Sequence, residues 1–590
     1  MTTTDTFPRC GPYPAAAPFA PIREELTTRF GAMPDRLDLL QILVSIQHRL
    51  GYVPAEAISW LATNLGLSRA EIHGVVAFYS FLEETPPAPY TLRFSTNITE
   101  LWQGQEANMA RFKDLPNVRA LPTSCIGLGD QGPAALVNGY PLPRLTATRL
   151  DAIARAIASR RPVAEWPAEW FKVDPNVRLA GPLLEFAFTP GALVERVLAA
   201  GDAAFMEMLR ASGLRGRGGA GFATHAKWDA CRAEVVPEKY VVCNADEGEP
   251  GTFKDRLLLS DHAELLIEGM TIAARVVGAK QGYIYLRGEY LWLYDRLNAA
   301  LEARRRAGLL GAKVCGAADF PFDIAIHLGA GSYVCGEESA LLESLEGRRG
   351  VPRIRPPFPA THGYRGRPTV VNNVETYCAI AQLAGIGAAE FAALGSQGSA
   401  GTKLHSVSGD CAHPGIFECA MGTQVSTLLD LCGTRDPLAV QVGGPSGRLL
   451  FPEEFHLPLD FSHVSSGGSF MVIGRERDLF ELVYNFVAFF HHESCGFCTP
   501  CRSGSNIMLN ALQRIRRGQG TEHELQIITE AAAVASKASH CGLGHTLGNP
   551  FQDLERGRPA VFQDRLRDSP DGTVLDLKRA VAEARALRER

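Results

Sequence analysis

The sequence predicts a multidomain α/β protein, and three observations lead to this fold class. The chain has 590 residues, 46% of them hydrophobic, which is enough for about three to five domains of ordinary size. Between residues 186 and 400, apolar runs typical of strands alternate with helical patterns, as a mainly parallel sheet requires. Helical patterns precede and follow this region. We therefore expect helical segments on both sides of a central α/β domain.

The first predicted element is an N-terminal helical segment, residues 1–85. Its apolar stripe recurs at helical spacing, and Ser68 with Glu71 forms a capping box that opens a further helix. The stripe consists of Leu37, Leu39, Leu40, Ile42, Leu43 and Ile46. After a proline-rich hinge, a small α/β domain is predicted at residues 86–160. It has a strand at 90–95, a hairpin turn at Asn138-Gly139 and a helix capped at Thr148.

A linker rich in proline and tryptophan, residues 161–185, leads to the central domain at 186–400. Its strands are predicted at 240–243, 283–286 and 324–328, and its helices at 263–277, 291–306 and 337–345. A β-rich module at 401–465, a helical segment at 466–560 and a charged tail at 561–590 complete the chain. Ligands of open α/β sheets bind at the carboxyl ends of strands, where the chemically distinctive loops of this sequence lie.

Four cysteines near the C-terminus suggest an iron–sulfur cluster. Cys495, Cys498 and Cys501 are spaced by two residues each around a tight turn, and Cys541 follows forty residues later. Four thiolates brought together in this way are the ligand set of a polynuclear iron centre. A zinc site is the alternative, although structural zinc sites usually pair two C-x2-C units and Cys541 stands alone.

Two loops have the composition of a nucleotide site. The glycine-rich loop, Arg215–Phe222, has four glycines that let backbone N–H groups approach a phosphate. Because a helical pattern precedes it, the loop is not a Rossmann fingerprint, and a plain glycine-rich turn stays open. The acidic loop, Asn244–Arg256, follows a strand, and its carboxylates suit ribose or ribityl hydroxyls. A metal site or a solvated acidic turn are its alternatives.

Two further stretches fit the same site. Residues 329–338 pass from glycine-rich backbone into a helix start, which favours anions. Asn372 and Asn373 offer paired amides.

Charge and composition exclude several classes of function. The formal net charge is −5, from 59 basic and 64 acidic residues, so no overall field favours nucleic acid or an anionic membrane. The N-terminus lacks a basic region followed by an apolar stretch, and no apolar run reaches the ~18 residues of a membrane span. Fourteen cysteines in so long a chain do not form a secreted disulfide framework. We expect a cytoplasmic protein.

Five motifs, in this order, resemble the NADH-oxidising flavoprotein subunit of respiratory complex I and its soluble relatives. They lie at residues 216–222, 244–256, 331–338, 371–376 and 493–501. The resemblance covers roughly residues 185–560. It implies a Rossmann-like domain for FMN and NAD(H), a ubiquitin-like β-grasp module at 401–465, and a helical bundle with one [4Fe-4S] cluster on Cys495, Cys498, Cys501 and Cys541.

The resemblance also implies the cofactor-binding residues. Glu247 and Glu338 would position the cofactors, no side chain is a certain acid or base catalyst, and Phe222 and Phe358 would stack on the nucleotide, although Phe358 is equally an ordinary packed aromatic. An acidic group at the ribose favours NAD over NADP. The set comprises Gly216, Arg217, Gly218, Gly219, Ala220, Gly221, Phe222, Lys227, Asn244, Asp246, Glu247, Glu249, Tyr333, Gly336, Glu337, Glu338, Phe358, Asn372 and Asn373.

Residues 35–160 resemble the complex I subunit that joins a helical segment to a thioredoxin-like [2Fe-2S] domain. That family supplies four cysteines, whereas only Cys125 stands at a ligand position here; Gly129 and Asn97 occupy two of the others. We therefore expect a thioredoxin-like domain that has lost its cluster.

The fusion and the lost cluster resemble the diaphorase subunit of cytoplasmic NAD-reducing [NiFe] hydrogenases. This implies an iron–sulfur diaphorase partner, hydrogenase subunits, and electron transfer between the [4Fe-4S] cluster and NAD through FMN. A diaphorase subunit of formate dehydrogenase or of complex I is the alternative of the same chemistry. A non-catalytic electron-wiring scaffold is the alternative of another class.

Overall fold

The computed structural model describes residues 12–13, 18–31 and 34–567. It divides into two compact units, the first ending at Arg477 and the second beginning at Asp478. The start of the predicted helical segment, residues 1–11, and the predicted tail beyond residue 567 lie outside the described residues. Within the described ranges, every helix is too short or too polar to cross a bilayer.

The N-terminal segment is helical, as predicted. Its helices are α1 (Ala20–Phe30), α2 (Leu39–Leu50), α3 (Ala55–Leu65) and α4 (Arg69–Val76). The capping box is present, because the Ser68 hydroxyl accepts from the Glu71 N–H while the Glu71 carboxylate accepts from the Ser68 N–H.

The small α/β domain contains a four-stranded sheet in the order β2-β1-β3-β4, with β1 parallel to β2 and antiparallel to β3. Its elements are β1 (Tyr90–Ser95), α5 (Ile98–Leu101), α6 (Gln105–Lys113), β2 (Val118–Thr123), β3 (Ala135–Val137), β4 (Tyr140–Leu142) and α7 (Ala147–Ala158). Asn138 and Gly139 turn the predicted hairpin with positive φ angles of 47° and 91°. The predicted cap at Thr148 is wrong, because the hydroxyl of Thr146 accepts from the Arg149 N–H.

The central domain contains a parallel sheet in the order β8-β7-β6-β9. The linker before it contributes β5 (Val177–Leu179). Strands follow as β6 (Tyr240–Ala245), β7 (Gln281–Leu286), β8 (Asp323–Leu328) and β9 (Thr369–Asn373). Helices are α8 (Ala192–Ala200), α9 (Asp202–Ala211), α10 (Thr224–Ala233), α11 (Lys254–Asp261), α12 (Ala263–Val277), α13 (Tyr294–Arg306), α14 (Glu338–Leu345), α15 (Pro359–His362), α16 (Val374–Ile386) and α17 (Ala388–Ala393). Three of these strands match the predicted ones, and β9 was not predicted.

The two faces of this sheet are covered by different parts of the chain. Alternate residues of β6 point to opposite faces. Val241 and Cys243 pack with α12 and α16 of the same domain. Tyr240 and Val242 pack instead with leucines and isoleucines of the N-terminal segment, including Leu43. The N-terminal helices are therefore the second covering layer that a parallel sheet requires.

The β-rich module contains a six-stranded sheet in the order β13-β12-β14-β10-β11-β5. Its elements are β10 (Thr402–Gly409), β11 (Gly415–Ala420), α18 (Val425–Leu431), β12 (Ala439–Val442), β13 (Arg448–Leu450) and β14 (Ser469–Ile473). The predicted boundary at residue 465 is wrong, because β14 lies between β10 and β12 in this sheet. The predicted linker is also part of this sheet, because its strand β5 pairs with β11 at the sheet edge.

The second unit is helical, as predicted. Its helices are α19 (Leu479–Glu493), α20 (Thr499–Arg516), α21 (Glu522–Ala538), α22 (Gly542–Thr546), α23 (Asn549–Gly557) and α24 (Ala560–Gln563). Its core includes the buried side chains of Phe480, Phe486, Met508, Ile528 and Phe551.

Candidate functional site

The predicted loops meet at one edge of the parallel sheet. The acidic loop follows β6, residues 329–336 follow β8, and Asn372 and Asn373 end β9. The side-chain amide of Asn244 donates to the Gly336 carbonyl at 2.8 Å, and a Cβ on Gly336 would lie 3.5 Å from the Asp246 carbonyl oxygen. The loops after β6 and β8 are thus packed directly against each other.

The glycine-rich loop is a closed turn between α9 and α10. The Gly216 N–H donates to the Phe222 carbonyl at 2.9 Å, and Gly221 has a φ of +61°. A Cβ at Gly221 would overlap the ring of Phe461, so both the backbone angle and the space require glycine. The loop lies against the end of β9, where a Cβ on Gly218 would be 3.2 Å from the Asn373 Cβ, and it is held to α16, where the Arg217 N–H donates to the Thr376 hydroxyl at 2.9 Å.

A second glycine loop, Ser465–Gly468, lies against the first and was not predicted as part of the site. The Ser465 hydroxyl donates to the Gly219 carbonyl at 3.1 Å, and a Cβ on Gly219 would be 3.8 Å from the Gly467 Cα. The two loops are therefore packed directly against each other through their backbones. The Ser-Ser-Gly-Gly sequence was the available signal, but nothing local connects it with a loop some 250 residues earlier.

Arg217 provides a test of whether an anionic cofactor fits beside the glycine-rich loop. Its side chain is 1% exposed, and Nη2 donates to the Ala400 carbonyl. Nε and Nη1 find no hydrogen-bond partner among the described residues. Burial lowers the pKa of Arg217 to about 10. Buried N–H groups without acceptors, within a glycine-rich loop, suit the phosphate of a flavin nucleotide.

Glu247 lies in the acidic loop and caps the N-terminus of α11. Its carboxylate accepts from the backbone N–H groups of Asp255 and Arg256, at 2.7 and 3.1 Å, and from the Tyr290 hydroxyl at 2.7 Å. Burial, with the charge of Asp255, raises the pKa of Glu247 to about 7. Three of the roughly four lone-pair positions of this carboxylate are thus taken. Glu247 accordingly fixes the acidic loop to the first turn of α11.

Glu249 belongs to a polar group that joins the acidic loop to the β-rich module. It accepts from the Tyr333 hydroxyl and from the Ser446 N–H, the latter at 2.8 Å. Burial raises the pKa of Glu249 to about 7. The carboxylate is therefore half ionised near neutral pH, and its charge affects the binding of any ligand with hydroxyl or phosphate groups.

The remaining predicted polar residues bind one another around the same edge. Lys227 Nζ donates to Glu338 at 2.6 Å and to the Val371 carbonyl at 2.9 Å. Glu337 caps α14 by accepting from the N–H groups of Ser339 and Ala340. Both glutamates therefore hold the helix that starts at the site.

Asn373 joins the site to a fully buried charge network. Its amide donates to Asp255 at 2.6 Å, and its side-chain oxygen accepts from the Glu375 N–H at 3.0 Å. Glu375 also pairs with the ammonium groups of Lys254 and Lys403. Burial opposes the ionisation of Glu375, but the two ammonium groups outweigh it and hold its pKa at about 2. Asn372, on β9, is 8% exposed and lies opposite Cys243 in the sheet.

Two aromatic rings are exposed beside these loops. Phe222 ends the glycine-rich loop and is 58% exposed, while Phe358 precedes α15 and is 55% exposed. The exposure of Phe358 argues against the alternative that it is an ordinary packed aromatic.

The four cysteines come together in the second unit. Cys498 is the N-cap of α20, Cys501 lies in its first turn, and Cys541 is the N-cap of α22. The Cys501 thiol is within electrostatic range of Cys498, Cys541 and Cys495. A Cβ on Gly544 would lie 3.1 Å from the Cys501 Cβ, which shows how closely α22 approaches. The positive end of α20 also suits an anionic thiolate cluster.

Within the described ranges, no three potential ligands lie close enough together to hold a single metal ion.

Family models match three parts of the chain. Residues 24–158 match the thioredoxin-like [2Fe-2S] ferredoxin, residues 209–382 the Nuo51 FMN-binding domain, and residues 481–565 the iron–sulfur binding region of NADH-ubiquinone oxidoreductase F. FMN and a [4Fe-4S] cluster are thereby confirmed as cofactors, and the zinc alternative is wrong. The thioredoxin-like domain is confirmed as well.

The comparison that decides the family spans nearly the whole chain. The alpha subunit of the NAD-reducing hydrogenase HoxS from Cupriavidus necator is 38% identical over 556 residues, or 90% of this chain and 92% of the relative. The chain belongs to the family of NAD-reducing hydrogenase alpha subunits. A crystal structure of an NAD+-reducing [NiFe]-hydrogenase in its H2-reduced state is similar as well. Its matching chain is 40% identical, with a TM-score of 0.85 over 94% of this chain and 98% of that one.

One relative that matches part of the chain is named for a different nucleotide. The NADP-reducing hydrogenase subunit HndC of Solidesulfovibrio fructosivorans is 39% identical over 367 residues, covering 60% of this chain and 74% of its own.

Proposed function

We propose that this chain is the diaphorase flavoprotein subunit of an NAD-reducing hydrogenase. In the assembled enzyme, H2 and NAD+ give NADH and a proton, and this chain transfers electrons between its [4Fe-4S] cluster and NAD(H). One observation carries the proposal. The glycine-rich loop, the acidic loop and the amide pair meet at one sheet edge, and the chain that contains them is similar to such a subunit over 90% of its length.

FMN would be held beside the two glycine loops, at the carboxyl ends of the strands. When bound, FMN exchanges a hydride with NAD(H) and single electrons with an iron–sulfur cluster. Arg217 would satisfy phosphate oxygens, while Lys227, Asn244, Asp246, Asn372 and Asn373 would orient the flavin and ribityl groups. No side chain of this chain need donate or remove a proton.

NAD(H) would bind on the side of Glu249 and the exposed rings. Glu249 would accept hydrogen bonds from the ribose hydroxyls, and Phe222 and Phe358 would stack on the flat rings of the nucleotide. Cys495, Cys498, Cys501 and Cys541 would be the cluster ligands.

The thioredoxin-like domain would hold no cluster. Residues 24–158 include one cysteine, Cys125, and a [2Fe-2S] cluster needs four ligands. Cys125 is 1% exposed, its thiol accepts from the N–H groups of Gly127 and Gly251, and burial raises its pKa to about 11. A neutral, hydrogen-bonded thiol of this kind is inert.

The β-rich module would be a β-grasp domain of the ubiquitin type. The hairpin of β10 and β11 and the parallel pairing of β10 with β14 support this proposal. We also propose the cytoplasm as the location, because fourteen cysteines in a chain of 590 residues, four of them the proposed cluster ligands, do not form a secreted disulfide framework.

Two measurements on purified protein test the proposal. The complex should contain a nickel protein and reduce NAD+ with H2. The chain itself should be yellow, reduce dyes with NADH, and contain about four irons and four sulfides for one cubane cluster. A chain without flavin absorbance or dye reduction would exclude the diaphorase function, and about six irons would mean that the thioredoxin-like domain keeps a two-iron cluster.

Replacing Glu249 with glutamine should relax nucleotide choice. Because the pKa of Glu249 is about 7, its carboxylate is ionised mainly above pH 7, where it repels a 2′-phosphate. We expect the kcat/KM preference for NADH over NADPH to rise from pH 6 to pH 8 in the wild type. The preference should fall on the order of 100-fold and lose its pH dependence in Glu249→Gln. Glu195→Gln, on the exposed face of α8, is the control; an unchanged preference in Glu249→Gln would refute the role.

Removing either exposed ring should weaken nucleotide binding. Stacking contributes about 0.5–1.5 kcal/mol, so Phe222→Ala and Phe358→Ala should each raise the KM for NADH about two- to tenfold with little change in kcat. Steady-state kinetics with a dye acceptor measure this. Val235→Ala, at a side chain 99% exposed, is the matched control. Equal KM values in Phe358→Ala and in the control would mean that Phe358 has only a packing role.

A further inference from the structure

The loop Cys125–Asp130 of the thioredoxin-like domain contacts the acidic loop directly. The Cys125 thiol accepts from the Gly251 N–H at 3.4 Å. The Cys125 carbonyl accepts from Arg287 Nη2 at 2.8 Å. The first bond connects the one retained ligand position with the acidic loop, which carries Glu249, and the second connects it with Arg287 at the end of β7.

Asp130 forms the strongest of these contacts. It accepts from both terminal nitrogens of Arg256, at 2.8 and 3.0 Å, and the two side chains are 0% and 2% exposed. Arg256 Nη1 also donates to the Gly127 carbonyl at 2.7 Å. Burial opposes the charge of Arg256, but the Asp130 carboxylate outweighs it and raises the pKa of Arg256. A buried bidentate pair of this kind fixes geometry as well as charge.

Both arginines also hold the acidic loop. The backbone N–H of Arg256 donates to the Glu247 carboxylate, and Arg287 Nη1 donates to the Glu247 carbonyl. Two residues later, Glu249 reaches Tyr333 and Ser446. A continuous hydrogen-bonded path therefore runs from Asp130 through the arginines and Glu247 to the nucleotide side of the site.

We propose that the Cys125–Asp130 loop is a positioning element for the NAD(H) site, in which Asp130, through Arg256 and Glu247, fixes the backbone that carries Glu249. The inference rests on the proposed function, since it concerns the same NAD(H) site. It explains why a thioredoxin-like domain with one cysteine is retained on this chain. Asp130 and Arg256 are positioning residues, since neither is placed at the reacting atoms.

A positioning role differs from simple domain packing in what it changes. A packing contact affects only the free energy of unfolding, whereas displacement of the acidic loop weakens nucleotide binding. A misplacement of about 1 Å at a site costs up to about 100-fold. We therefore expect Asp130→Asn to raise the KM for NADH at least about tenfold, with kcat for dye reduction within about twofold of the wild type.

The experiment uses the assembled, flavin-loaded complex. Asp151→Asn is the matched control, because Asp151 lies in the same domain and pairs with Arg111 at the surface. Steady-state NADH kinetics are measured together with amide hydrogen exchange of residues 247–251. Faster exchange and a raised KM in Asp130→Asn alone support the proposal. An unchanged KM in folded Asp130→Asn overturns it, whether or not exchange is faster.

A milder pair of variants covers the case in which Asp130→Asn does not fold. Cys125→Ser keeps an acceptor for the Gly251 N–H, and Cys125→Ala removes it. The KM should rise about two- to fivefold in Cys125→Ala and stay near the wild-type value in Cys125→Ser, as expected for one neutral hydrogen bond. Equal KM values in the two variants overturn the proposal. If the wild type itself does not oxidise NADH, the proposed function fails and the positioning role fails with it, whereas an active wild type with an unchanged KM in Asp130→Asn overturns the positioning role alone.

Discussion

In Cys498→Ala we expect H2-dependent reduction of NAD+ to fall to background, while NADH-driven dye reduction continues at close to the wild-type rate. Dyes accept electrons at the flavin, whereas the hydrogenase subunits reach it through the cluster. A [4Fe-4S] cluster needs four ligands, and we propose Cys498, the N-cap of α20, as one of them. Assays of both activities on the same complex, with iron analysis, measure the effect.

Cys315→Ala is the control for that substitution, because Cys315 is a partly buried thiol of the first unit outside the predicted ligand set. It should keep both activities and about four irons. If Cys498→Ala reduced NAD+ with H2 at the wild-type rate, the ligand assignment would be refuted.

A chain that begins at residue 86 should be insoluble and free of FMN. The N-terminal helices cover one face of the parallel sheet, where Tyr240, Val242, Tyr285 and Val371 pack against them. Each fully buried valine or leucine contributes about 1.5–3 kcal/mol, so exposing Val242, Leu341, Leu342 and Val371 of this cluster removes about 6–12 kcal/mol. That equals the whole free energy of unfolding of an ordinary domain.

Co-expression of residues 1–85 as a separate chain is the matched control, and it should restore soluble, yellow protein. Solubility, flavin absorbance and thermal unfolding of the two preparations are compared. A soluble chain from residue 86 with a wild-type melting temperature would show that the helices are not needed to cover the sheet.

Local signals predicted much of this fold. The Asn138-Gly139 pair specifies its own turn, because both residues tolerate the positive φ angles that a two-residue hairpin requires. The strand β14 was missed for the opposite reason. Its five residues lead towards a helix in the sequence, and only pairing with β10 and β12, distant in the chain, identifies it as a central strand.

In the candidate site, too, some features could be predicted from local sequence and others could not. The glycines, carboxylates and cysteines could be recognised because their chemistry is written in short motifs. Their hydrogen-bond partners could not be recognised. Tyr290 reaches Glu247, and Ser465 reaches Gly219, only through the tertiary fold. The glutamates illustrate the limit, because one motif contains both Glu247, which holds a helix start, and Glu249, which lies towards the β-rich module.

The linker strand β5 has a consequence for how the two halves of the first unit meet. Because it pairs with β11, the joint between the thioredoxin-like domain and the central domain is built into a sheet. Two domains joined by a short tether meet at an effective concentration in the millimolar range, whatever the protein concentration in solution. Contacts between the Cys125–Asp130 loop and the acidic loop therefore withstand a dilution that would separate two independent chains. At this interface the peptide chain, instead of binding affinity, keeps the two domains together.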